Sequence, residues 1–521
     1  MKVCWSLGAA AALFLLSSLI SSLIPSPVSA QEPVHWDIVD GIREEGFGNS
    51  RVMDYAGYLT DVIGPRLTGS SNMRQAQQWV MQRMQELGLT NVELEPCGDE
   101  TVGWDVERVS VHMYEPDYQM VIAYPFALTP GTGGPVVERA VAAVIRTRAD
   151  MTQYRGRLRD AIVLATPMLT TTPRFARDAF RHDDESLDVF ETEGRDLLIQ
   201  RYGNGQPEQS RFRREDITES EVEEFYKSEG VRAVLKAGTG SDGTVLATGH
   251  PTTSGVRTPE SIENALPTLA VAAEHYNRIF RILERGLPVT MEVDVRVTVG
   301  NTDPRGYNVI AEIPGSDLAD EVVAIGAHLD SWHTGTGATD NASGVAVVLE
   351  AMRILGAIDA RPRRTIRVLL WSHEEGGLRG SRGYVRNHFG NPDIGTTPDH
   401  DRLSVYFNMD NGTGQFRGVH VQGNRLVTPI FEAWLRPFHD LRVETISQFS
   451  NRGTDHLSFS EAGLPGLQFI QDRIEYRSRT HHFNMDTFDK LLPEDLKINA
   501  VVMASFAYHA AMRDERIPRT P

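Results

Sequence analysis

Histidines, aspartates and glutamates gather just after apolar runs in the C-terminal part of this chain. His328-Leu329-Asp330 follows residues 321–327 (EVVAIGA), and Asp340-Asn341 stands ahead of an amphipathic segment at 346–355. His373-Glu374-Glu375 follows residues 365–371 (TIRVLLW), and Asn408-Met409-Asp410 follows residues 403–407. A late segment, 480–486 (THHFNMD), adds His481 and His482. Imidazole and carboxylate donors together favour zinc or another first-row metal. Two histidines with three of these carboxylates exceed what one tetrahedral catalytic zinc needs. They fit two metals sharing a bridging carboxylate, an arrangement that polarises a carbonyl and lowers the pKa of a shared water. A carboxylate left over could take that water's proton.

Such residues act together only if the elements around them bring them together. In an open α/β sheet the carboxyl ends of the strands line one crevice. Residues 321–327, 365–371 and 403–407 read as strands, and 346–355 reads as a helix with Val345, Val348, Leu349 and Met352 on one face. From Met291 onward strands and helices alternate in βαβ fashion. Ahead of that, residues 51–87 read as a helix, with Ala76, Val80, Met84 and Leu87 at helical spacing and Gly88 as its stop. Residues 91–96 read as a strand. Between 114 and 287 short β-type runs alternate with loops, at 140–145, 161–165, 231–235, 245–247 and 266–271. Within that region residues 181–230 hold 15 acidic and 7 basic residues and read as a solvated face. A helix there is announced by the capping box Thr218 with Glu221 and ends at Gly230. Residues 238–243 (GTGSDG) match a dinucleotide fingerprint formally, but a β-type run follows, so they read as a loop.

Taken singly, each chemical motif is bland. His-x-Asp is common, Glu-Glu after a strand is usually a solvated turn, and Asp340 ahead of a helix is by default an N-cap. His373-Glu374 is no zincin helix, because Gly377 stands where the second histidine is required. The sequons at Asn341 and Asn411 are discounted because they adjoin the candidate site. The combination carries the signal.

Composition narrows the field. Of 521 residues, 40% are hydrophobic and 23% charged, which is ordinary for a globular protein. The formal charge of −18 lacks the field of a nucleic-acid binder. No G-x-S-x-G elbow occurs, which disfavours a lipase-type hydrolase. Residues 1–30 read as a secretory signal: Lys2, an apolar stretch over 8–24, and Val28-Ser29-Ala30 at the cleavage positions. No other stretch is apolar enough to span a membrane, so the expectation is a secreted, periplasmic or extracellular protein. Cys4 leaves with the signal, and Cys97 remains as a lone thiol.

At these residues the sequence resembles the co-catalytic zinc exopeptidases, the family of aminopeptidase S, glutamate carboxypeptidase II and plasma glutamate carboxypeptidase, and most of all the carboxypeptidase Q-like branch. The matching motifs are 326–332 (GAHLDSW), 335–344 (GTGATDNASG), 371–381 (WSHEEGGLRGS), 407–414 (FNMDNGTG), 453–459 (GTDHLSF) and 481–487 (HHFNMDT), in the family's order. The resemblance implies an α/β fold: a three-layer α/β/α catalytic domain with a mixed central sheet, over residues 31–113 and 288–521. It also implies an inserted β-rich protease-associated domain over residues 114–287. Two zinc ions are implied, with His328 and Asp410 on one, Glu375 and His482 on the other, and Asp340 between them. Glu374 becomes the general base, whose partner hydroxide bridges the metals, and Asp330 orients His328. His482 is selected over His481 because it stands four residues before Asp486-Thr487. His481 falls where an oxyanion donor would stand, and Asp455 and Arg452 match a substrate-side loop. The implied substrate is a short peptide held by a free terminus, and relatives are commonly dimeric. Two other readings stand beside it: a single-zinc acyl transferase of glutaminyl cyclase type, and a non-catalytic protein-binding module.

Overall fold

In the computed structural model the described residues are 32–171, 173, 175, 177–192, 212–250, 258–300, 303–391, 393 and 395–520. The expected signal, 1–30, lies outside them, as do residues 193–211 of the acidic stretch. An eight-stranded mixed sheet runs in the order Thr90–Glu100, Arg305–Ile313, Arg364–Trp371, Leu318–His328, Leu403–Asn408, Gly466–Gln471, Phe416–His420, Thr445–Ser447. Its four central strands, from Arg364–Trp371 to Gly466–Gln471, are mutually parallel. Parallel strands need cover on both faces, and their near-continuous apolar runs supply it. In Leu403–Asn408, Tyr406 stacks on Phe459 at 4.3 Å while its neighbour Phe407 meets Phe506 edge-on at 5.7 Å. Phe506 belongs to the helix Pro493–Met512, whose buried residues extend around its circumference, as does the burial of Ser343–Ala357. On the Tyr406 side, Trp371, Tyr384, Val385 and Phe459 form one cluster. The result is a mixed α/β fold around a mixed central sheet, as the resemblance implies.

A second eight-stranded sheet is built between residues 104 and 299, in the order Gln119–Met120, Trp104–Glu115, Thr290–Val299, Val136–Ala142, Ile162–Leu164, Ala233–Ala237, Thr268–Val271, Ala123–Pro125. Its own apolar cluster includes Ile162, Leu235, Leu269 and Val293. The helix Glu219–Glu229 carries both hydrogen bonds of the Thr218–Glu221 capping box and ends on left-handed Gly230.

Three expectations need correction. Residues 51–87 are not one helix. Val52–Gly57 runs into a π-helical turn, Tyr58–Ile63, and a new helix, Ser71–Glu86, starts at the Ser70 cap. Gly64 at φ 86° and Pro65 break the run between them. Residues 245–247 form no strand; Leu246 makes isolated bridges to Thr239 and Phe483. The start of the acidic stretch is not a solvated face either. His182, Leu187, Val189 and Phe190 are buried, Leu187, Val189 and Phe190 cluster with Ile470, and Arg181 is paired with buried Asp472 and Asp495. No described helix is long and apolar enough to cross a membrane.

Candidate metal centre

Strand register levels the ligand-bearing ends. His328 pairs with Trp371 across one strand interface, and Gly326 pairs with Asn408 across the other. His328 therefore ends its strand beside the turns that carry Glu374-Glu375 and Asp410. Asp340 arrives from the 331–342 loop, where its backbone is non-helical. It is not the N-cap its position suggested: the Asn341 Oδ1 accepts from Gly344 N at 3.0 Å instead. That leaves the Asp340 carboxylate to face the histidines. Asn341 itself is fully buried, which removes its sequon from consideration.

The donor atoms converge. His328 Nδ1 donates to the Asp330 main-chain oxygen at 2.9 Å, so its Nε2 faces Asp340 Oδ1 at 3.1 Å and Asp410 Oδ1 at 3.5 Å. His482 Nε2 lies 3.2 Å from the other Asp340 oxygen and 3.0 Å from Glu375 Oε2. Three trios bring their donors within 4.8 Å of one another: His328, Glu374 and Asp410; His328, Asp340 and Glu375; and Asp340, His481 and His482. Glu375 Oε1 is buried without a hydrogen-bond donor. Lone pairs packed face to face in this way need cations between them, and mixed imidazole and carboxylate donors suit zinc. The residues present fit the metal.

Electrostatics agree. Burial works against a charged His328, but the Asp410 and Glu374 carboxylates and the bonds to Asp330 and Asp340 hold its pKa well above the usual value. His482 is likewise held up, to about 10, because Glu375 and Asp340 outweigh burial. Burial raises Glu375 to about 7 and pushes Glu374 well above the carboxylate range, with Asp410 and Asp455 adding to the effect on Glu374. Asp340 goes the other way, well below, since its bonds to the two histidines prevail over burial. The cluster recruits positive charge wherever it can.

A second set of residues holds the loops. Arg66, fully buried, donates to the main-chain oxygens of Leu329 and Gly337 at 2.9 and 2.8 Å and so ties the His328 loop to the Asp340 loop. Asp486 accepts from the backbone N–H of Thr339 and Asp340 at 2.7 and 3.1 Å. The Asp330 carboxylate accepts from Thr68 Oγ1 at 2.9 Å and Glu374 N at 3.3 Å, while its distance to His328 Nδ1 is 3.5 Å. Tyr476 donates to Asp410 Oδ1 at 3.4 Å. Arg66, Thr68 and Tyr476 had no motif to announce them; only the buried guanidinium among five carbonyls shows why Arg66 sits in its loop.

The remaining candidates fall at different depths. His481 stacks on His482 at 3.9 Å and reaches within 4.0 Å of Asp340 Oδ2. Burial and the neighbouring His482 keep it well below the usual histidine value, hence neutral. Asp455 is fully buried, and Arg452 is exposed on the same loop.

Comparison with known proteins matches residues 308–507 to Peptidase family M28. Carboxypeptidase Q of Mus musculus is 27% identical over 475 residues, covering 90% of this chain and 88% of that protein. A peptidase M28 precursor from Shewanella amazonensis superimposes with a TM-score of 0.65 at 24% identity, over 93% of this chain and 98% of that one. A zinc aminopeptidase from Bacillus subtilis, BSAP, gives a TM-score of 0.54 at 18% identity, over 89% and 95%.

Proposed function

We propose, from the premise that this chain belongs to the co-catalytic zinc exopeptidases of family M28 on the carboxypeptidase Q-like branch, that it is a secreted dinuclear enzyme acting on short peptides. That it is a zinc-dependent metallopeptidase follows from the family; the number of metals, the export and the substrate size are the proposal. One observation carries it: Asp340 offers its two oxygens to histidines from distant segments, His328 and His482, at 3.1 and 3.2 Å. His328 and Asp410 would hold one zinc and Glu375 and His482 the other, with Asp340 shared. Bound zinc supplies Lewis-acid polarisation of the scissile carbonyl and lowers the pKa of water. Glu374 takes the proton of the attacking water and returns it to the departing amine, so that water adds across the broken C–N bond. Neutral His481 donates an N–H towards the oxyanion. Residues 1–30 direct export, and the second sheet supports reading 114–287 as an inserted protease-associated domain.

Glu374→Gln is the test. The variant should keep its circular dichroism and bind two zinc ions per chain, yet lose roughly 100-fold or more of turnover on dipeptides. Wild-type rates would overturn the role of Glu374. A stoichiometry of one tightly bound zinc would overturn the dinuclear centre.

A further inference from the structure

The loop that joins His328 to Asp340 is held by two neighbours. One is the segment that carries His482. Trp332 meets the His482 ring edge-on at 6.1 Å, and Thr334 Oγ1 donates to the His482 main-chain oxygen at 2.9 Å. Thr336 N donates to the Asp486 main-chain oxygen at 2.8 Å. The two stretches run so close that a Cβ at Gly335 would stand 2.7 Å from the Phe483 carbonyl oxygen, so only glycine fits there.

The other neighbour is the second sheet, and His333, between Trp332 and Thr334, reaches across to it. His333 Nε2 donates at 2.7 Å to the main-chain oxygen of Pro125, in the edge strand Ala123–Pro125. Its ring meets Trp104 edge-on at 4.9 Å, and Trp104 Nε1 in turn donates to Thr129 O at 2.8 Å. Burial pushes the imidazole down to about 4, so it is neutral, and a carbonyl can only accept, so the proton sits on Nε2. Trp332 packs on the same cluster, with Trp104, Ala127 and Leu128. Asp410 is held differently, from within the first sheet. Gln468 Nε2 donates to its main-chain oxygen at 3.1 Å, and the preceding Met409 N donates to Gly326 O at 3.1 Å.

We propose that His333 is a positioning residue for one metal of the pair. By anchoring its loop to Pro125 it keeps Trp332 and Thr334 against His482, and so fixes the imidazole that would share a zinc with Glu375. The inference rests on the dinuclear reading above and adds that the two zinc ions depend on different parts of the chain. His333 acts through His482, so its loss weakens the zinc of Glu375 and His482 and spares the zinc of His328 and Asp410. Asp340, shared by both, keeps its own hold through Asp486 and through Arg66 on Gly337.

Zinc is titrated into the metal-free full chain against a competing indicator, with circular dichroism recorded alongside. His333→Phe keeps an aromatic ring against Trp104 but leaves the Pro125 oxygen without its donor. It should weaken one of two zinc ions roughly tenfold and leave the other as in the wild type. His333→Gln, which again offers an N–H, should restore most of that affinity. Thr334→Val removes the hydroxyl at the far end of the route and should weaken the same zinc, which keeps the test available if the Phe variant does not fold. In a His482→Ala background, where one zinc is left, adding His333→Phe should weaken it no further. The inference is overturned if His333→Phe or Thr334→Val binds both zinc ions as the wild type does. It is also overturned if both zinc ions weaken alike, or if the zinc remaining in His482→Ala weakens. These outcomes leave the dinuclear reading intact. If the wild type takes up only one zinc, that reading itself falls, and the inference with it.

Discussion

Asp330 reaches the centre through both its main-chain oxygen and its carboxylate, and the two do different work. Its main-chain oxygen fixes the His328 tautomer, while its carboxylate accepts from Thr68 and from Glu374 N. Asp330→Asn keeps the main-chain contact but exchanges one acceptor oxygen for a donor. Glu374 N or Thr68 then loses its partner, and the turn carrying both glutamates shifts. Zinc affinity should fall about tenfold and kcat by 10- to 100-fold, with KM little changed, the range expected when the support of a ligand is lost. A metal titration with steady-state kinetics checks this, and wild-type values for both would refute it. The candidate ligands stood out in the sequence because zinc chemistry restricts donors to a few residue types and strand ends restrict their place. Their supports were not. Arg66 acts through its guanidinium on carbonyl oxygens, which every residue carries, so no spacing in the sequence marks it.

At the scale of elements, strands and their parallel order followed from apolar runs, since burial on both faces leaves a strong compositional trace. Junctions left none. The break at Gly64-Pro65 interrupts a run whose apolar spacing continues through it, and the 245–247 segment bridges to distant Phe483 as well as to nearby Thr239. That segment clamps the loop of His482. Asn484 Oδ1 accepts from Val245 N at 2.8 Å, Asn484 N donates to the Val245 main-chain oxygen at 3.1 Å, and the side-chain amide reaches Gly243 O at 3.3 Å. A loop between two strands of the second sheet thus reaches the segment that carries His482. Asn484→Ala leaves a backbone N–H unpaired and frees the loop two residues after His482. The expected result is zinc affinity weakened roughly tenfold with circular dichroism unchanged. Competition with a zinc indicator measures it, and wild-type affinity would show the clamp to be irrelevant to the metal.

The formal charge of −18 says nothing about where acid groups lie, yet their placement sets how the whole molecule responds to pH. Asp455 and Asp486 are deeply buried, and each is pushed up to about 7, first by loss of hydration and then by neighbouring carboxylates. Glu375 stands at about 7 for the same reason. In the unfolded chain such groups titrate near ~4. Between those values the folded chain keeps protons that the unfolded chain has released, so stability falls as pH rises from about 4 to about 7. His482, held up to about 10, adds stability that is complete below ~6.5 and lost on the way to its folded value, the same direction at higher pH. Asp340, held well below its ordinary value, works in the opposite direction, but only at strongly acid pH. Zinc binds the folded form and replaces those protons as the neutralising charge. Buried His182, His333, His456, His481 and His509 are held below the usual histidine value chiefly by burial, so they add stability as pH rises to ~6.5 and oppose the carboxylates there. Above that the falling contributions prevail, so chelator-treated enzyme should melt progressively earlier from pH 7 to pH 9, and zinc should raise Tm most at the upper end. Asp455→Asn, which removes one of the titrating groups, should flatten the metal-free slope. A metal-free Tm that rises across that interval would show that the buried carboxylates are neutralised by something other than protons and zinc.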